Sequence, residues 1–200
     1  MAGRPRGTSD ADLVRAAVEV IGWVGPDGLT LAAVARQAGV VPGTLMQRFG
    51  SKRGLLLAVA DHATAGMTAV RDRVRARHTS ALGALAALVV EWAAPLATPE
   101  SYANHLAFLC VDLTDPEFHE RALAVHRGQR DAVRGLLAEA VADGELRPDT
   151  DVVALAAAVL AITSGAGLMW ALDREGGLAG RLREAVTTVL RPHLTDGGTS

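Results

Sequence analysis

Between residues 28 and 59 the chain reads GLTLAAVARQAGVVPGTLMQRFGSKRGLLLAV, and few folds can accommodate that order of caps and apolar positions. Thr30 is a good N-cap, and Leu31, Val34, Ala35 and Ala38 recur behind it at helical spacing. Gly39 suits the left-handed residue that ends a helix, Val40 reads as a buried turn residue, and Pro42 fits the first turn of a second helix. In that second helix Leu45 and Phe49 share one face, while Thr44, Gln47 and Arg48 share the other. Gly50 and Ser51 stop it and cap a third. Two short helices joined by a tight glycine turn, the second with a polar outer face, are the layout of a major-groove reader.

Thr30, Val34, Ala35, Ala38, Gly39, Val40, Gly43, Thr44, Leu45, Phe49, Ser51, Lys52 and Leu55 also carry a resemblance. At these intervals, Ala-Gly-Val, Gly-Thr-Leu and Phe-x-Ser-Lys resemble the DNA-binding domain of the tetracycline-repressor (TetR) family of bacterial regulators. The specific match covers about residues 8–60. Val41 stands where the family usually has Ser, Met46 where it has Tyr, and Arg48 where it has His or Tyr. The first two changes each remove a hydroxyl expected near a phosphate, so the contact set is altered even though the fold pattern is kept.

Charge is divided in the same way as the motif. Residues 1–60 hold seven Arg/Lys against four Asp/Glu, net +3, whereas the remaining 140 hold thirteen against eighteen, net −5. A basic N-terminal part and an acidic remainder suit a chain that meets phosphate at one end only. Within that part Gln47 and Arg48 are the expected base readers, since Gln pairs bidentately with adenine and Arg with guanine. Thr44 offers a methyl or a hydroxyl, and Gly43 lets the backbone come close. Thr30 and Lys52 sit at helix N-termini, which favour phosphate. Arg4 and Arg6 form a short basic arm ahead of the first helix. With Val41, Pro42 and Met46 these residues make up the expected DNA-binding set.

The rest of the chain reads as helix throughout, giving an all-α fold of about nine helices. Ser9 with Asp12 forms a capping box for a first helix whose stripe ends at Gly25-Pro26. Ser51 caps a long helix running to about Ala76. Further helices are expected from Ser80 to Ala94, from Pro99 to about Leu113, from Asp115-Pro116 to Asp143-Gly144, between Asp151 and Asp173, and from Leu178 to Leu190. The expected division is a helix-turn-helix domain at 1–50 and a ligand-binding and dimerisation domain at 51–200, with 51–76 connecting them.

Val152 to Leu172 contains no charged residue and is long enough to span a bilayer. Its flanks are acidic (Asp149, Asp151, Asp173, Glu175) and lack a basic cluster, so a helix packed in a core and against a second subunit is the preferred reading. Cys110 is alone, so neither an internal disulfide nor a cysteine zinc site can form. The polar, basic start of the chain is no secretory signal, and a cytoplasmic location is expected. His119 and His126 are two helical turns apart, and Ser164 lies outside any strand-to-helix elbow. No catalytic residue, metal or cofactor is expected.

The resemblance implies a homodimeric transcriptional regulator, a repressor released from a palindromic operator when a small, largely apolar ligand enters its C-terminal helices. His62, Trp92, Tyr102, His105, Phe108 and Met169 are the candidate cavity residues. Val159, Leu178, Leu182, Val186 and Val189 are the candidate dimer seam, with Gly165 and Gly167 allowing close approach. The alternative is a helical ligand-sensing or carrier module whose DNA binding has weakened at Val41 and Met46.

Overall fold

A computed structural model describes residues 8–195. The first helix, α1 (Asp10–Gly28), starts with the capping box read from the sequence: the Ser9 hydroxyl accepts from Asp12 N–H, and the Asp12 carboxylate accepts from Ser9 N–H. It is kinked at Gly25, whose φ of 73° is left-handed. Pro26 has no N–H to give the Gly22 carbonyl one turn back, and Asn104 Nδ2 from a distant helix supplies the missing donor at 2.9 Å. Thr30 caps α2 (Leu31–Ala38), with its hydroxyl accepting from Ala33 N–H, and Gly39 closes it with φ 68°. Recognition-type helix α3 (Pro42–Phe49) follows, and Ser51 caps α4 (Lys52–Ala65).

The long helix expected from Ser51 to Ala76 is in two pieces, broken at Gly66, with α5 (Met67–Arg75) as the second. Glycine is a poor helix former, and Met67 turns inward there until its sulfur packs against Gly128. Then come α6 (Ala81–Ala93), α7 (Pro99–Thr114), α8 (Pro116–Ala142), α9 (Val152–Asp173) and α10 (Leu178–Leu190). Counting the broken helix once gives nine α-helices among the described residues, as expected. A 3₁₀ turn at Ala94–Leu96 extends α6, and the chain then bends by 91° into α7.

Two apolar clusters result. One joins α1 to α4 and recruits Phe118 from α8; the other is built from α5 to α10 around Leu85, Leu88, Val133, Leu137 and Val159. Leu178, Leu182 and Val186 belong to this second cluster and are buried inside the protomer, as is Val159. The expected seam is therefore corrected: that stripe of α10 packs on α6 and α9 and cannot also face a partner. Val189 is half-buried against the same core. Gly167 is likewise internal, because a Cβ there would lie 2.6 Å from the Tyr102 hydroxyl.

What α9 leaves uncovered is a different face. Val153, Ala154, Ala157, Ala161, Gly165, Leu168, Met169 and Leu172 are exposed. Of its apolar window only 28% is buried. By length and composition this helix could cross a membrane, and it is the one single helix among the described residues that could.

Candidate nucleic-acid interface and effector cavity

The outer face of α3 is built by its turns. Gly39 N–H and Val40 N–H close α2 on the Arg36 and Ala35 carbonyls, which sets the angle at which α3 leaves. Leu45 is fully buried under α3 and fixes its roll. Gly54 fixes the exit, since a Cβ there would lie 2.0 Å from the Phe49 carbonyl oxygen. Val41, Pro42, Gly43, Met46, Gln47 and Arg48 then face outward, and Thr44 is half-buried. Val41 is 69% exposed and Met46 54%, unusual for apolar side chains with a core so near. Gly43 meets nothing within 4 Å of a built Cβ, so the protomer itself does not require glycine there.

Two of the basic candidates have partners in the free protein. Arg48 pairs with Asp10 at 2.6 Å, and Lys52 Nζ donates to the Asp27 carbonyl at 2.8 Å, tying α4 to the end of α1. Thr30 is exposed at its cap. Arg4 and Arg6 lie outside the described residues.

Behind the reader, α1, α4 and α6 to α10 line a cavity of about 620 Å³ that is open on one side, within the usual ~300–1,000 Å³ of small-molecule sites. His62, Trp92, Tyr102, His105 and Phe108 line it. Met169 does not: helical periodicity turns Leu160, Thr163, Ser164 and Gly167 of α9 inward and leaves Met169 on the outer side, 49% exposed. The sequence reading missed Asp112, Gln129, Thr163 and Ser164 as lining residues, and weighed His126 only as a metal ligand. One signal was present, since Asp112 shares a face of α7 with His105 and Phe108.

The wall is apolar with few polar groups. Tyr102 donates its hydroxyl to the Ser164 carbonyl at 3.2 Å and packs edge-on against Trp170. Its place is kept open by Gly167. Burial pushes the Tyr102 phenol up and the His105 imidazole down, and it lifts the Asp112 carboxyl to about 6. Two side-chain atoms in the wall, Trp92 Nε1 and Asp112 Oδ1, are buried with no hydrogen-bond partner. Among the described residues, no group of three His, Cys, Asp or Glu could hold a metal ion.

The cavity and the reader are joined at two places. Val18, Ile21 and Gly22 of α1 and Val59, Ala60, His62 and Ala63 of α4 form part of its wall. Arg53, at the start of α4, forks onto Asp115, the N-cap of α8, at 2.6 and 3.0 Å, also pairs with Glu117, and lies over the Phe118 ring. These pairs hold the Arg53 proton tightly and keep the Asp115 carboxyl below its ordinary range. One turn further on, Arg121 of α8 meets Asp61 of α4 at 2.8 Å.

A small helix-turn-helix with an outward-facing second helix, set on a hollow helical domain, defines the class of helix-turn-helix transcription regulators. Residues 13–59 match the family model "Bacterial regulatory proteins, tetR family", and residues 109–186 match "Tetracyclin repressor-like, C-terminal domain". The chain belongs to the TetR family of transcriptional regulators. No curated protein sequence matches it.

Among solved structures, a TetR transcription regulator from Haloarcula marismortui superposes with a TM-score of 0.76 at 15% identity, covering 93% of this chain and 98% of that one. The TetR-family regulator CifR, solved as a cysteine mutant with a 26-base-pair operator duplex, has a TM-score of 0.65 and 27% identity, covering 96% and 100%. FadR from Bacillus subtilis, solved with stearoyl-CoA, has a TM-score of 0.64 and 17% identity, covering 96% and 100%.

Proposed function

We propose that this regulator is a homodimeric, cytoplasmic repressor that leaves a palindromic operator when a small molecule fills its cavity. The observation that carries the reading is the composition of the cavity wall. It is shared between the helices that carry the reader, α1 and α4, and the helices of the C-terminal part. A ligand that widens this space must push on α4 at Val59, Ala60, His62 and Ala63, on either side of its pin to α8 at Asp61. The proposed division is a reader at 1–50 and an effector and dimer domain at 51–200. No enzymatic role is proposed.

The readers are Gln47 and Arg48, with Thr30, Gly43, Thr44 and Lys52 at the backbone; Arg48 exchanges Asp10 for a base on docking. Val41, Pro42 and Met46 add apolar contacts, suited to thymine methyl groups. Arg4 and Arg6 serve as the minor-groove arm. CifR was solved on operator DNA, which supports this side of the reading.

Dimerisation is assigned to the uncovered face of α9. Gly165 there, and Gly180 on the neighbouring α10, meet nothing within 4 Å of a built Cβ. Glycine inside a helix costs about 1 kcal/mol. The open space at both leaves room for the close approach of a partner helix. Two readers are needed because recognition helices address half-sites about 34–36 Å apart. The ligand acts through its different affinities for two spacings of the readers, so ligand and operator weaken each other by the same factor.

The test is selection of genomic fragments on the pure protein at moderate salt, with sedimentation of the complex. Enrichment of a palindromic site bound by a dimer is expected. Fragments retained no better than random DNA would favour the carrier alternative.

A further inference from the structure

The cavity wall has an unbalanced charge. Among the described residues no Lys or Arg lines it, and its one carboxylate, Asp112, has an oxygen buried without a hydrogen-bond partner. The remaining titratable groups in the wall are the phenol of Tyr102 on α7, and three imidazoles: His62 on α4, His105 on α7 and His126 on α8. Burial holds His105 toward its neutral form, so it is no counter-ion for an acid. The N-terminus of α7, which also reaches the cavity through Ser101, is already closed by the Thr98–Ser101 capping box.

An anionic ligand would therefore meet a repelling carboxylate and no cation to balance it. A wholly apolar ligand would displace water from Asp112 and leave the carboxylate dry. A metal ion lacks a cluster to hold it. A cation on an apolar stem fits every part of the wall. The ammonium gains a charge-assisted bond, and the rings of Trp92, Tyr102 and Phe108 offer apolar surface and π faces to the rest.

The cavity is also long. Tyr102, His105, Phe108 and Asp112 succeed one another down one side of α7, so Tyr102 and Asp112 are about 15 Å apart at ~1.5 Å per residue. Asp112 lies beside Phe108 and Val111, which pack against the reader's core, whereas Trp92 packs against the C-terminal core.

We propose that the ligand of this cavity is an elongated, mostly apolar amine whose ammonium group sits against Asp112, at the end of the cavity nearest the DNA-binding helices. The proposal rests on the cavity being the effector site. It adds the chemical class and places the charged group at the end of α7 next to Asp115, which Arg53 ties to α4.

The test uses the full-length chain and three probes of one skeleton: phenylbutylamine, phenylbutanol and phenylbutyrate, titrated by calorimetry at neutral pH. The amine is expected to bind at least ~10-fold more tightly than the alcohol, and the carboxylate more weakly than either. Asp112→Asn, the same shape without the charge, should bring the amine down to the affinity of the alcohol and leave the alcohol unchanged. Asp112→Glu, which keeps the charge, should retain the preference for amine and guards against a folding artefact.

An amine bound no better than the alcohol, a preference for the carboxylate, an Asn variant that keeps the amine preference, or binding of none of the three would each overturn the proposal. Adding the selected operator separates the two readings. An Asp112-dependent amine that binds but leaves DNA affinity unchanged would retain the ligand class and remove the regulatory reading. Release of DNA by the alcohol and carboxylate, but not preferentially by the amine, would do the reverse.

Discussion

Replacing Asp112 by Asn should stabilise the ligand-free protein, by an amount that depends on pH. The side chain is half-buried in the cavity wall, and one oxygen has no hydrogen-bond partner. Burial raises its acid from the ordinary 3.8 to about 6. Read as a full penalty, that rise has a ceiling of about 3 kcal/mol at ~1.4 kcal/mol per pH unit. Water still reaches half of the side chain and screens the charge, so the gain expected at pH ~8 is nearer 1 kcal/mol. For a chain of this size that corresponds to about 2–4 °C in Tm.

The sign follows from proton uptake. Between 3.8 and about 6 the folded state binds more protons at this site than the unfolded one. The native protein's stability is therefore full below the unfolded value and is lost as pH rises through the folded value. The advantage of Asn over Asp should be largest above pH ~7, fall to about half by pH ~5, and vanish below pH ~4. His62, His105 and His126 line the same cavity, but they are common to both proteins and cancel in the difference. Urea denaturation of both proteins at several pH values measures it. An Asn variant that is less stable at pH ~8, or equally favoured at every pH, would refute the desolvation argument.

Three further outcomes are expected. Leu168→Arg, on the uncovered face of α9, should leave helicity and melting intact and yield monomers in sedimentation, whereas Leu182→Arg, buried in the protomer, should lose about 3 kcal/mol or more and fail to fold stably. Gly167→Ala drives a Cβ into the Tyr102 ring and should cost about 1–3 kcal/mol of overpacking, partly offset by helix propensity; Gly165→Ala, with open space around it, should not destabilise the protomer but should weaken dimerisation measured by dilution. Gln47→Ala should cost about 1–3 kcal/mol on the selected operator and little on random DNA, while Lys52→Ala should weaken both alike and flatten the salt dependence by about one unit, as read by anisotropy titrations.

The reader was legible in the sequence because its determinants are local. Caps at Ser9, Thr30 and Ser51, the left-handed Gly39, and apolar residues at helical spacing each act within a turn or two, and all took the form expected. Most helix boundaries followed for the same reason, from Thr98, Pro99, Pro116 and Asp151. Gly66 was the exception, since a glycine within an otherwise periodic stretch marks a weak point without saying whether packing will break it.

The faces of α9 and the interior of the cavity depended on tertiary structure. Because α9 is apolar on every side, it has no stripe to distinguish inside from outside, and only its packing against Tyr102 of α7 and against α10 decides which residues remain uncovered. The α10 stripe at Leu178, Leu182 and Val186 is plain in the sequence, but a stripe shows that a face is buried and not which surface buries it. Helical spacing puts Asp112 on one face of α7 with His105 and Phe108, but its unpaired oxygen appears only once that face is folded into the cavity wall. The Asn104 bond to the carbonyl freed by Pro26 spans 82 residues, so local periodicity carries no trace of it.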